Sequence, residues 1–337
     1  MKKVYIVTGA NGFLGNTVVK KLSGEREVRA LVLPGDELPS LNGADCSIYE
    51  GDVTKPETLS ALFENLPADA DVCVIHCAAV VYTKSKYDKR VYDVNVNGTK
   101  NIAEKVLEKK AKLVYVSSVH AIPEKPGNEL ITETSDFDPQ KVKGLYAKTK
   151  AEAAAYVLKQ VRENGLNACI LHPSGIIGPN DYGRSHLTQL ITDYLSGKLR
   201  LCVKGGYDFA DVRDVADGVI NACELGEKGE CYILSNRYVQ IKELLDGVSE
   251  ITGIKKPGML PMWLARMTAP LAEKYYEILK QPPLYSRYLL YTISSNSNFS
   301  CAKAKEKLNY KTRDFKQTLK DTVEWLSHRS FSPCYAQ

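Results

Sequence analysis

The 337-residue chain carries 45 lysines and arginines against 40 aspartates and glutamates, a formal charge of +5. With 44% hydrophobic residues it holds far more apolar material than a disordered chain. Its basic residues cluster no further than doublets, which argues against a nucleic-acid-binding stripe and leaves catalysis the most open class. The length fits one large domain, or a large one with a smaller companion.

Short β-branched runs alternate with longer amphipathic stretches over the first half. Residues 4–8, 28–33, 72–76, 113–117 and 168–172 read as strands; 17–22, 58–63, 91–108 and 146–161 read as helices. Buried, non-alternating strands between helices predict a doubly wound α/β layer, a parallel sheet covered on both faces as in a Rossmann fold. Beyond Pro173 the texture changes, with more Gly, Pro and Tyr and fewer strands. The expected division is 1–173 as a dinucleotide-binding domain, joined by a returning helix (212–222) and strand (231–234) within 211–234. Residues 174–210 and 235–327 are expected to form a substrate-binding region, with closing helices over 300–326.

The dinucleotide expectation comes from the first strand–helix turn, Thr8-Gly9-Ala10-Asn11-Gly12-Phe13-Leu14-Gly15. Glycines at 9, 12 and 15 permit a tight turn, close approach of backbone N–H groups to a pyrophosphate, and packing of the helix on the strand. The helix N-terminus adds about half a positive charge. Asn11, Phe13 and Leu14 fall in the same turn. At the end of the second strand Leu33 offers no charge, and Asp36 close behind it would repel a ribose 2′-phosphate. NAD(H) is therefore favoured, with NADP(H) left open because Arg29 and Lys20 could reach in. Asp52, beside Val53, is placed either on the adenine amino group or as a cap for the helix starting near Lys55-Pro56. His76 reads as a packed core histidine, and Ala78 and Ala79 let the backbone run along the cofactor.

Two further features carry chemistry. Val114-Tyr115-Val116-Ser117-Ser118 puts hydroxyls at the carboxyl end of a strand, the edge where ligands sit in open parallel sheets. Tyr146 and Lys150, at i and i+4, share one helix face. A free phenol has a pKa near about 10. A neighbouring ammonium and the positive charge of an oxidised nicotinamide draw it down, so that the phenol can exchange a proton with an alcohol oxygen. Ser118 would polarise that oxygen.

Together the segments TGANGFLG (8–15), GDV (51–53), HCAAVV (76–81), NVNGT (95–99), SS (117–118), YAKTK (146–150), HPSGIIGP (172–179) and DVRDVADG (211–218) resemble an extended short-chain dehydrogenase/reductase of the epimerase/dehydratase superfamily. The resemblance implies a catalytic triad of Ser118, Tyr146 and Lys150, with Ser117 the alternative serine. It further implies Lys150 on the nicotinamide ribose, Asn95 as a structural support, and Pro173 and Ile176 at the nicotinamide end. Asp211, Arg213 and Asp214 resemble a structural clamp, and a homodimer is implied through the two long helices, where Ala151, Ala153, Ala154 and Ala155 would allow close approach or else serve only packing within the chain.

Within the superfamily the chain lacks the Thr-Asp-Glu cluster of dehydratases, since Val119-His120 follows Ser118. It also lacks the V-Y-G and L-R-Y-x-N segments of epimerases, and most resembles the 3β-hydroxysteroid dehydrogenase and dihydroflavonol reductase branch. Residues 259–291 agree in polarity: Met259, Leu260, Met262, Trp263, Leu264, Met267, Leu271, Tyr275, Tyr276, Leu284, Tyr285, Tyr288, Leu289 and Tyr291 suggest a pocket for an apolar alcohol or ketone, or else helix packing or a membrane surface. Arg184, His186 and Arg287 keep a nucleotide-sugar epimerase or reductase as the alternative. A non-catalytic nucleotide-binding regulator is disfavoured by the intact triad. The nine scattered cysteines include no C-x-x-C pair, which predicts neither a metal site nor a disulfide framework. With no secretory pattern after Met1 and no 18-residue apolar run, the expectation is a cytoplasmic enzyme without a transmembrane segment.

Overall fold

The computed structural model describes residues 2–24, 26–67, 69–84, 86–278 and 286–328, with 275–278 described by backbone alone. Of the predicted substrate side, the side chains of Tyr275 and Tyr276, and Leu284 and Tyr285 entirely, lie outside the described residues, as does Cys334.

Seven parallel strands form the central sheet: β1 (Lys3–Thr8), β2 (Glu27–Val32), β3 (Ser47–Glu50), β4 (Asp71–His76), β5 (Lys112–Val116), β6 (Asn167–Pro173) and β10 (Cys231–Leu234), in the order β10-β6-β5-β4-β1-β2-β3. Strand β1 pairs with both β2 and β4, so the strand order reverses at its carboxyl end and opens a crevice there. Side chains alternate between two cores. Val4 and Ile6 pack with α3 (Thr99–Glu108) and α4 (Leu145–Asn164) on one face. Tyr5 and Val7 pack with α1 (Phe13–Leu22) and α6 (Val212–Leu225) on the other. Helix α6 and strand β10 lie with this sheet, α6 on its second face and β10 beside β6.

Two elements differ from the sequence reading. The segment expected as a helix over 58–63 is a 3-10 helix, Pro56–Phe63. The long helix expected over 91–108 contains a π-turn, Asp93–Gly98, between α2 (Lys89–Tyr92) and α3. Inside that turn the buried Asn95 has left the ordinary register to clamp the loop after β4. Its Oδ1 accepts from the Val80 N–H at 2.8 Å, and its amide donates to the Val80 carbonyl at 3.0 Å and the Thr149 hydroxyl at 3.1 Å.

Beyond β6, β7 (Gly175–Ile177), β9 (Gly206–Asp211) and β11 (Arg237–Gln240) make a second sheet. A parallel pair, β8 (Leu201–Val203) and β12 (Gly258–Leu260), forms a third. Helices α5 (His186–Leu195), α7 (Ile241–Thr252), α8 (Met262–Ile278), α9 (Arg287–Thr292), α10 (Ala302–Lys307) and α11 (Phe315–Ser327) complete the fold. Asp211, at the end of β9, caps α6 and takes the Arg213 guanidinium at 2.7 Å; Arg213 also reaches Asp321 on α11, while Arg313 pairs with Asp214 at 2.7 Å. Ala151, Ala153 and Ala154 are at most 1% exposed in the single chain. These three alanines pack inside the protomer, which removes them as a contact surface for a partner helix.

Candidate active site

The glycine turn closes on itself, with the Gly12 N–H on the Gly9 carbonyl at 2.9 Å and the Ala10 N–H on the Leu31 carbonyl at 3.2 Å. Gly9 has φ +66°, and a Cβ there would lie 2.7 Å from the Ala78 nitrogen; at Gly15 it would lie 2.0 Å from the Gly9 carbonyl oxygen. Both positions admit only glycine. No side chain caps α1 at Gly12, so its first N–H groups face the crevice without a capping partner from the chain. This cradle fits a dinucleotide pyrophosphate.

Asn11 ties the turn to the loop after β2. Its amide donates to the Asp36 carboxylate at 3.3 Å and the Glu37 carbonyl at 3.0 Å, and its oxygen accepts from the Ser40 hydroxyl. Leu33, 43% exposed, starts that loop. The two cations that kept NADP open are engaged elsewhere. Arg29 is buried, its guanidinium donating to the Leu62 and Glu64 carbonyls at 2.9 and 2.6 Å, and Lys20 lies over the Tyr182 ring. Asp52 spends one carboxylate oxygen on the Thr54 N–H and hydroxyl, a local turn ahead of the 3-10 helix. Val53 is buried against Gly98. Ala78 and Ala79 are partly exposed along the end of β4, while Pro173 ends β6 and Ile176 lies on β7. His76 is fully buried between the Thr8 and Thr99 hydroxyls, at 2.7 and 3.0 Å, and burial holds it neutral with a pKa of about 3.

The carboxyl end of β5 and the start of α4 meet beside this crevice. Ser118 is buried; its oxygen accepts from the His120 N–H at 3.2 Å, leaving the hydroxyl proton to donate. The Ser118 carbonyl is held by His172 Nδ1 at 2.9 Å. Burial pushes the Tyr146 phenol up to about 12, opposed by the neighbouring Ser118 hydroxyl. Burial also pulls Lys150 down to about 7; its ammonium donates to the Val116 carbonyl at 2.8 Å and lies 5.0 Å over the Tyr115 ring. In the protein alone, desolvation outweighs the charge attraction expected to lower the phenol.

His120 meets Tyr146 from the turn after β5 and gathers Tyr207 and Tyr288 around it. It stands edge-on to the Tyr146 ring at 5.9 Å, stacks on Tyr207 at 5.5 Å, and lies 6.2 Å from Tyr288. His120 Nε2 is 3.2 Å from the Tyr207 hydroxyl, and burial lowers its pKa to about 4. His120 and Tyr207 help to line a cavity of about 390 Å³ beside α4. Its walls include buried Val119, Ile122, Val142 and Ala147; exposed Glu124 and Lys143 stand on the solvent side. Of the predicted substrate side, Tyr291 lines this cavity and Tyr288 joins the cluster, whereas Trp263, Met267 and Leu271 face solvent. Tyr207 escaped the sequence reading because β9 brings it in from a distant segment with no local motif.

The model of the NAD dependent epimerase/dehydratase family matches residues 5–235, more than half of the chain. The chain belongs to this family. Among curated relatives of this family member, sterol demethylase protein B of Methylococcus capsulatus is 26% identical, over 96% of this chain and 98% of the relative. The 3beta-hydroxysteroid-dehydrogenase/decarboxylase isoform 1 of Arabidopsis thaliana is 28% identical, over 70% of this chain and 58% of the relative. The crystal structure of gox2253 superimposes with a TM-score of 0.83 at 29% identity, covering 97% of this chain and 98% of that one.

Proposed function

We propose that this chain is a nicotinamide-dependent oxidoreductase interconverting a secondary alcohol and a ketone on an apolar substrate, hydroxysteroid-like or otherwise polycyclic or aromatic. The observation that carries the reading is a cavity lined by Val119 and Ala147, the chain neighbours of Ser118 and Tyr146, with further buried wall residues Ile122, Ile131, Val142 and Tyr207 that are apolar or aromatic. The names of the sterol and hydroxysteroid relatives support it.

In this reading Gly9, Gly12, Gly15 and the start of α1 hold the pyrophosphate, and the Leu33–Asp36 loop takes the adenosine ribose, with NAD(H) favoured over NADP(H). Asp52, Val53, Ala78, Ala79, Ser117, Pro173 and Ile176 line the rest of the dinucleotide. The nicotinamide, when bound, accepts or donates the hydride. Ser118 donates to the substrate oxygen and fixes its position. Tyr146 passes its proton to the ketone oxygen, or takes one from the alcohol. A phenol at about 12 is protonated at neutral pH, the state required for ketone reduction. Alcohol oxidation needs the phenolate, so its rate rises with pH. Lys150 holds the nicotinamide ribose and, as the ammonium, favours that phenolate.

The nucleotide-sugar alternative needs cations for a diphosphate. His186 serves it poorly, since burial lowers its pKa and its Nε2 is bonded to the Thr83 hydroxyl at 3.0 Å. Residues 1–173 with 211–234 act in this reading as the dinucleotide half, and 174–210 with 235–327 as the substrate side. A homodimer through the two long helices is what the family resemblance implies, and a cytoplasmic site of action stays the expectation from the scattered cysteines.

A nicotinamide absorbance assay tests the proposal, run with NAD and NADP separately on 3β-hydroxysteroids, aromatic alcohols and UDP- or dTDP-sugars. Cofactor reduction with a steroid or other apolar alcohol is expected. Silence there, with an interconverted nucleotide sugar in the products, replaces the reading with epimerase chemistry.

A further inference from the structure

Helix α8 is built inside out. Its inner face is small, with Ala265 and Ala269 buried against Leu290 of α9. Three of its large apolar side chains point outward at i, i+4 and i+8: Trp263, Met267 and Leu271 are 64, 68 and 71% exposed. A helix that packs only on its own protein normally does the reverse. Met259, on the strand that leads into α8, is also exposed.

Charge is segregated to the chain segments that carry α8 and the strands before it. Residues 196–206 and 253–274 hold seven basic side chains against one acidic, Glu273. They thus exceed the whole chain's surplus of +5 and leave the remainder slightly acidic. Arg266 and Lys274 stand on α8 itself, and Arg200, Lys255 and Lys256 lie just before β8 and β12, all exposed. Lys256 is partly engaged by Glu250 at 3.2 Å, and Glu273 accepts from the Arg287 N–H at 2.7 Å.

We propose that the exposed face of α8 docks the protein on the surface of an anionic lipid bilayer. The ridge of Trp263, Met267 and Leu271 enters the headgroup–acyl boundary and the basic residues meet lipid phosphates. Tryptophan beside methionine and leucine, bordered by arginine and lysine, is the composition that interface selects. The chain lies on the membrane and does not cross it, for no described helix is long and apolar enough to span one. The inference stands whichever substrate the site takes.

Sedimentation of the full chain with phosphatidylcholine vesicles, with and without phosphatidylglycerol, tests this. The protein is expected to pellet with the anionic vesicles, to be released by salt, and to shift its tryptophan emission to the blue. The triple variant Trp263→Ser, Met267→Ser, Leu271→Ser is expected to lose at least about tenfold in vesicle partitioning while keeping the wild-type melting temperature and nucleotide binding. Arg266→Glu with Lys274→Glu, both at exposed positions, should abolish the preference for anionic lipid. The proposal fails if the wild type pellets with neither vesicle, or if the triple variant partitions like the wild type. It fails equally if light scattering finds a dimer that the triple variant dissolves, since a second copy then covers the ridge.

Discussion

Lys150 is fully enclosed, with a carbonyl and a ring as its neighbours and a pKa drawn from 10.5 to about 7. The folded state therefore binds fewer protons than the unfolded one between those values, and stability rises with pH across that window. Below pH 7 the buried ammonium costs on the order of 4 kcal/mol, whereas abandoning the Val116 carbonyl costs about 1–3 kcal/mol. Lys150→Met is accordingly predicted to melt higher than wild type at pH 6, with the gap closing toward pH 10, and to lose turnover; thermal scans across pH read the first effect and the absorbance assay the second. On the loop after β2, Asp36 is the acid that Asn11 holds near Leu33. Leu33→Arg with Asp36→Ser removes the repulsion and adds a phosphate partner. It is expected to move the NADPH-to-NADH ratio of kcat/KM upward by about tenfold or more, and an unchanged ratio would place the 2′-site elsewhere.

Elements carry the parts of the structure most open to sequence reasoning. The alternation of strands with helices reads directly because buried parallel strands have no polar face, and the glycine turn reads because its chemistry is local. Gly15→Ala would drive a Cβ to 2.0 Å from the Gly9 carbonyl oxygen. It is predicted to abolish nucleotide binding in fluorescence titration and to lower the melting temperature. Less was open at 93–98, where a π-turn has nearly the same apolar periodicity as an α-helix and only the Asn95 bonds to Val80 explain it. Tyr146 and Lys150 were readable from their spacing, but the His120–Tyr207–Tyr288 cluster was not. Its members come from a turn after β5, from β9 and from α9, and only the tertiary fold brings them together. Arg29 misled for a related reason: its position near the cofactor strand end is apparent, its direction toward the Leu62 carbonyl is not.

Across the whole molecule, buried histidines set the acid limit. His76, His120 and His172 are held neutral by burial, with pKa values of about 3, 4 and 4. The unfolded state binds protons at these sites first, so stability falls as pH drops from about 6.5 toward 4, by roughly 3 kcal/mol each for His120 and His172. Asp208, raised to about 6 by burial, offsets part of this, because its folded form takes up a proton in the same range. Urea unfolding at pH 7 and pH 4.5 should show a clear loss at the lower value. In the proposed reading Tyr146 moves the proton on a site that binds its dinucleotide independently, and Tyr146→Phe separates the two. Ketone reduction is predicted to fall by at least about 10³-fold with nucleotide affinity, followed by fluorescence, unchanged; wild-type-like turnover in that variant would remove Tyr146 from the proton transfer.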